Sequence, residues 1–121
     1  MFWMVALAAF GKDASAKQID FVYDMVSDTP IELVFDLVRS YRDFDMTDHL
    51  DTVTVPALVI GGSEDRLTSV HGSEYLGEHL PKAELHVFDG VGHMSMLERH
   101  EQFNDLVERF LDDVLGKNGG R

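Results

Sequence analysis

The chain of 121 residues has no cysteine. Disulfides, thiolate nucleophiles and cysteine-ligated zinc or iron–sulfur sites are therefore excluded. Cations are scarce as well: 10 Lys and Arg stand against 22 Asp and Glu, for a formal net charge of -12. Neutralising phosphates requires clustered cations, so no nucleic-acid partner is expected. An anionic membrane surface is disfavoured for the same reason; a soluble acidic surface is the plainer meaning of the charge. Long apolar runs are missing too. The opening stretch MFWMVALAAF (1–10) is apolar throughout but too short to span a bilayer, so no membrane span is expected. It looks like the apolar part of a secretion signal, yet no Lys or Arg precedes it. A buried or lid-like helix is the expectation, with the cytoplasm as default compartment. That Met1 is an internal methionine of a longer natural chain is a further reading.

Proline is sparse, at three residues, and each one punctuates. Pro30 suits the first position of a helix, with Thr29 as its N-cap and Glu32 closing a capping box. Ile31, Val34, Phe35 and Val38 then recur at helical spacing, which predicts a helix within 28–41 with one apolar face. Pro56 suits the start of a strand. Pro81 stops a short helix over 69–80.

What is present is an apolar content of 45%, enough for the core of one modest domain. Residues 11–17 are a polar break, 18–26 a short helix and 42–55 an irregular acidic connection. Ala57, Leu58, Val59 and Ile60 form a continuous apolar run, as in a strand buried on both faces, and Gly61 and Gly62 end it. A second strand is expected over 83–89. Phe103, Leu106, Val107, Phe110, Leu111 and Val114 predict one long helix over 96–115, with Gly116 at its C-terminal cap.

From residue 55 the order is strand, helix, strand, helix, which predicts an α/β fold with a parallel strand pair. Functional groups in such sheets gather at the carboxyl ends of the strands. Asp65 follows the first strand and His93 the second, so both loops should reach one edge of the sheet. A carboxylate accepting from one imidazole nitrogen fixes the tautomer and stabilises the imidazolium formed when the other nitrogen takes a proton. Blander readings remain: an Asx turn or helix cap for Asp65, a turn-capping loop residue for His93. A metal site would want two histidines four apart on a helix or a tight cluster. His71 and His79 are eight apart and His93 and His100 seven, so His49, His71, His79, His86 and His100 read as structural or exposed, and no metal is expected.

The segments VPALVIGGSEDRLTS and VFDGVGHMSMLERHEQFNDLVERFLDDV together resemble the C-terminal part of an alpha/beta hydrolase. The family pattern is a Pro-led apolar strand, then Gly-x-x-Asp (Gly62 to Asp65), then Gly-His (Gly92, His93), then a Glu and a Phe before the last helix (Glu98, Phe103). The resemblance makes Asp65 the triad acid and His93 the triad base, in the family's order of acid before histidine. It covers residues 55–115 well; residues 1–54 look like a helical cap and lead-in ahead of the βαβα part, 55–121. Ser69 and His100 stand where the family often has Pro. The larger departure is the missing Gly-x-Ser-x-Gly turn that carries the family's nucleophile.

The resemblance implies a hydrolase of carboxylic esters, esterase- or lipase-like, acting on a small apolar substrate without a cofactor. An Asp nucleophile, as in epoxide hydrolase- or dehalogenase-like relatives, is the alternative chemistry, and a non-catalytic interaction or remnant protein the alternative class. Without a nucleophile the chain is expected to be inactive by itself. A two-stranded sheet is marginal and leaves open edges, which predicts a homodimer through the sheet edge, aggregation, or a partner that carries the missing half.

Overall fold

Pro56 directly precedes the first strand, whose pairing begins at Ala57; a proline is tolerated there because the missing amide falls on the unpaired edge. A computed structural model of the chain describes residues 2–116. Strand β1 (Ala57–Gly62) pairs in parallel with β2 (Ala83–Phe88), in a register that sets Ala57 opposite Ala83 and Gly62 opposite Phe88. Helix α4 (Val70–His79) connects them, opened by Ser69, whose hydroxyl accepts from the His71 amide. This is the strand–helix–strand unit read from the sequence.

The amides of Ala57 and Ser63 both donate to carbonyls at the β2 side, those of Lys82 and Phe88. In a parallel ladder alternate residues bond to the same neighbour. The amides of Leu58, Ile60 and Gly62 therefore point to the other edge of β1, where no strand pairs among the described residues. Burial along β1 runs against the sequence expectation: Gly61 and Gly62 are its buried residues and belong to the strand, while Ala57 to Ile60 are half-buried. The apolar run suggests cover on both faces, but β1 has one strand neighbour and its other flank is open among the described residues.

Helices α1 (Phe2–Ala9), α2 (Ala16–Ser27) and α3 (Ile31–Tyr41) precede the sheet, followed by a 3₁₀ turn at Thr47–Thr52. No helix among the described residues is long and apolar enough to cross a membrane. Ser15 opens α2 with a full capping box, its hydroxyl taking the Gln18 amide while the Gln18 side chain returns to Ser15. The box foreseen for α3 does not form. Pro30 itself is the cap residue and no side chain caps the helix, because the Thr29 amide still closes the end of α2 on the Val26 carbonyl. Glu32 is then one position short of the place a capping box needs. The apolar face of α3 exists but is uncovered, with Phe35 and Val38 both 59% exposed.

The last helix is also broken. A short α5 (Ser95–Glu98) ends where Arg99 takes φ -133°, and α6 (His100–Leu115) follows, closed by Gly116 at φ 69°. The core gathers at the junction of the N-terminal segment with this region: Ala9, Phe10 and Val22 are buried, and Ile19, Met94 and Leu97 pack against them.

Candidate active site

β1 and β2 end at the same edge, and the loops beyond them are laced together. The Glu64 amide donates to the Val91 carbonyl at 2.9 Å. The Ser63 hydroxyl donates to Asp89 at 3.1 Å and accepts from the Gly90 amide at 2.8 Å. Gly90 adopts φ 69°, the left-handed region, which lets the chain turn toward residue 93. A Cβ at Gly62 would stand 2.3 Å from the Val91 carbonyl oxygen, so the two loops meet backbone to backbone.

Asp65 then does two jobs at once. Its Oδ1 accepts the amides of Leu67 at 2.8 Å and Thr68 at 2.9 Å, an Asx turn that leads toward α4. Its Oδ2 accepts the Thr68 hydroxyl at 2.8 Å and lies 2.9 Å from His93 Nδ1. One oxygen of Asp65 thus serves the turn and the other meets the histidine. An unprotonated carboxylate only accepts, so Nδ1 carries the imidazole proton and Nε2 of the neutral ring keeps a free lone pair. Thr68 Oγ1 is also 3.2 Å from Nδ1, completing a triangle around that proton.

The His93 side chain is 37% exposed and that of Asp65 7%. Burial pushes the Asp65 carboxyl up; the Thr68 amide, His93, the Thr68 hydroxyl and the Leu67 amide together outweigh it and hold the carboxyl below its ordinary value. A carboxyl with a depressed value stabilises the fold above the ordinary carboxylate range, about pH 4, and loses that contribution as pH falls through the lowered value. Thr68→Val removes the hydroxyl and keeps the amide. We expect it to raise the Asp65 carboxyl, to move the acid loss of stability to higher pH and to cost about 1 kcal/mol near neutrality. Urea unfolding at a series of pH values checks this; an unchanged acid limb would show that the hydroxyl contributes nothing.

Beside the pair opens a cleft of about 350 Å³, with Leu58, Ile60, Met96 and Phe103 as apolar walls and Ser95 nearby. A larger cleft of about 750 Å³ lies between β2 and α6 and includes neither Asp65 nor His93, so the chemistry points to the smaller one. No serine hydroxyl among the described residues is hydrogen-bonded to His93. No group of three or more His, Asp or Glu suited to a metal occurs among them either.

Sequence reading missed three participants. Thr68 has a weak signal, a Thr three residues after an Asp at a turn. Ala9 to Gly11 have none: they lie far back in the chain yet meet the histidine loop directly, where a Cβ at Gly92 would fall 2.5 Å from the carbonyl carbon of Phe10. Glu98 was picked out only as a family marker; its carboxylate takes the amides of both Gly11 and Gly92.

Known proteins resemble this chain in sequence and fold. A family model described as the alpha/beta hydrolase family matches residues 2–106. The 2-hydroxymuconate semialdehyde hydrolase of Pseudomonas putida is 46% identical over 57 residues, 47% of this chain and 20% of that protein. A proline iminopeptidase of Saccharolobus solfataricus is 27% identical over 84 residues, 69% of this chain and 27% of that protein. Among solved structures, one described as a thermophilic esterase superposes with a TM-score of 0.78 at 29% identity, covering 93% of this chain and 45% of that one. The chain therefore spans about a quarter of the length of these curated relatives, and under half of the esterase.

Proposed function

The chain belongs to the alpha/beta hydrolase family, and on that premise we propose that it is the C-terminal portion of a carboxylic-ester hydrolase, with His93 as its general base and Asp65 as the carboxylate that orients it. The observation that carries the reading is the 2.9 Å contact between Asp65 Oδ2 and His93 Nδ1, which leaves Nε2 free beside an apolar cleft. In this scheme Nε2 takes the proton of a serine hydroxyl as the oxygen attacks the ester carbonyl. Asp65 stabilises the imidazolium, which then protonates the departing alkoxide. A water deprotonated by the same nitrogen cleaves the acyl-enzyme. The chain has no Gly-x-Ser-x-Gly turn, so nucleophile and oxyanion hole come from the remainder of the domain. Residues 1–54 act as the cap-like lead-in and 55–121 as the catalytic end of the sheet. The identity to the Pseudomonas putida enzyme favours, as a second reading, a semialdehyde substrate of the kind its name states.

The test is an aryl-ester assay in two settings. The chain by itself is expected to give no burst of phenol and no labelling by a fluorophosphonate. Grafted in place of the C-terminal part of the thermophilic esterase, it is expected to support turnover that His93→Ala abolishes. Turnover that survives His93→Ala rejects the base assignment. A His93-dependent burst from the chain by itself would place the nucleophile within it and reject the division of labour.

The open edge of β1 carries a consequence for the isolated chain. Three amides left unpaired among the described residues and the bare face of α3 favour self-association, with a homodimer through the sheet edge as its simplest form. Sedimentation over a hundredfold concentration range should show a rising mean mass. A sharp unfolding transition of a monomer, independent of concentration, would contradict this.

A further inference from the structure

His93 lies in a loop with no regular structure of its own, so something else must fix its backbone. The amides on either side of it do. The Met94 amide donates to the Ala9 carbonyl at 3.0 Å. The Gly92 amide donates to Glu98 Oε1 at 2.9 Å. The other oxygen of the same carboxylate, Oε2, accepts the Gly11 amide at 3.0 Å, joining segments 87 positions apart. Glu98 is 9% exposed, and none of the ion pairs among the described residues involves it. Arg99, its neighbour, donates to the Glu98 backbone carbonyl instead. A buried carboxylate without a cation is costly unless hydrogen bonds satisfy it; here two converging backbone amides do so.

From this geometry we infer that Glu98 is the positioning residue of the His93 loop, and that it makes the place of the histidine conditional on residues 9–11. The inference rests on the reading of His93 as base and adds what holds it. The two segments touch backbone to backbone, since a Cβ at Gly11 would lie 2.3 Å from the Gly90 carbonyl oxygen. Glu98 is the last residue of α5, and the helix breaks directly after it, where Arg99 takes φ -133°. A carboxylate is required because two donors converge on it. Glutamine offers one acceptor, and its amide group would face an N–H. Any movement of the N-terminal segment is thereby transmitted to Gly92, and through it to the imidazole next in the chain.

The experiment is NMR on the intact chain and on Glu98→Gln. In the wild type, trans-hydrogen-bond couplings should link the Gly11 and Gly92 nitrogens to the Glu98 side-chain carboxyl carbon. In Glu98→Gln at least one of the two glycine amides should exchange about tenfold faster. The share of His93 with its proton on Nδ1 should also fall, which a merely structural staple would not cause. Absence of both couplings in the wild type overturns the inference, even if the variant fails to fold. Faster glycine exchange with an unchanged imidazole makes Glu98 a staple and overturns the positioning role. If wild-type His93 instead carries its proton on Nε2 while both couplings are present, it is the base reading that fails, and the Glu98 bridge between Gly11 and Gly92 stands.

Discussion

Gly92→Ala is expected to remove a large part of the fold's stability. A Cβ built there stands 2.5 Å from the Phe10 carbonyl carbon, 2.6 Å from the Gly11 nitrogen and 2.7 Å from the Phe10 Cα. All three are backbone atoms, so no rotamer change relieves the contact. The strands of chain must part, and parting them breaks the Gly92–Glu98 and Met94–Ala9 hydrogen bonds and opens the packing around buried Phe10. Lost bonds of about 1 kcal/mol each, together with the opened core, bring the loss to about 4 kcal/mol or more. A domain of this size has roughly 5–15 kcal/mol in total. Gly72→Ala is the matched control: it sits inside α4 with nothing within 4 Å of the added methyl. There alanine should stabilise by about 0.5–1 kcal/mol through helix propensity. Thermal and urea unfolding followed by circular dichroism reads both. A loss below 1 kcal/mol at Gly92 would show that the N-terminal segment does not pack on the histidine loop.

Asp65→Asn is expected to lower turnover about 10⁴-fold in the grafted enzyme while leaving the fold in place. The reason is directional. Oδ1 is held by two amide donors, those of Leu67 and Thr68, so the asparagine carbonyl oxygen takes that position. The amide nitrogen is then forced into the place of Oδ2 and donates toward His93 Nδ1, where an acceptor stood before. The ring answers by carrying its proton on Nε2, the nitrogen that must accept one from the nucleophile. Turnover should fall with little change in KM, because the lost interaction belongs to the transition state. A loss under tenfold would show that Asp65 does not orient the base.

Much of this arrangement was legible in the sequence because it is local or periodic. Pro56 and the apolar run after it mark β1; the spacing of Phe103 to Val114 marks α6; the parallel order brings the loops of Asp65 and His93 to one edge. What escaped depends on contacts between distant segments. No periodicity ties Phe10 and Gly11 to Gly92, since the contact is made by backbone. The break at Arg99 is invisible because the informative spacing begins only at Phe103, four residues beyond it. The bare face of α3 is legible as an apolar stripe, but pattern says only that such a face wants cover, not whether it finds any. The helix caps illustrate the same limit: Ser15, in what reads as a polar break, forms a box with Gln18, while Thr29 and Glu32 match one and do not.

If Asp65 and His93 form an oriented acid–base pair within the folded chain, the imidazole tautomer must show it. Long-range ¹H–¹⁵N correlation of the histidine side chains, recorded on the wild type and on Asp65→Asn, tests it most directly. The expected result is a His93 proton on Nδ1 in the wild type and on Nε2 in the variant. A wild-type proton on Nε2, or an equal mixture unchanged by Asp65→Asn, would contradict it.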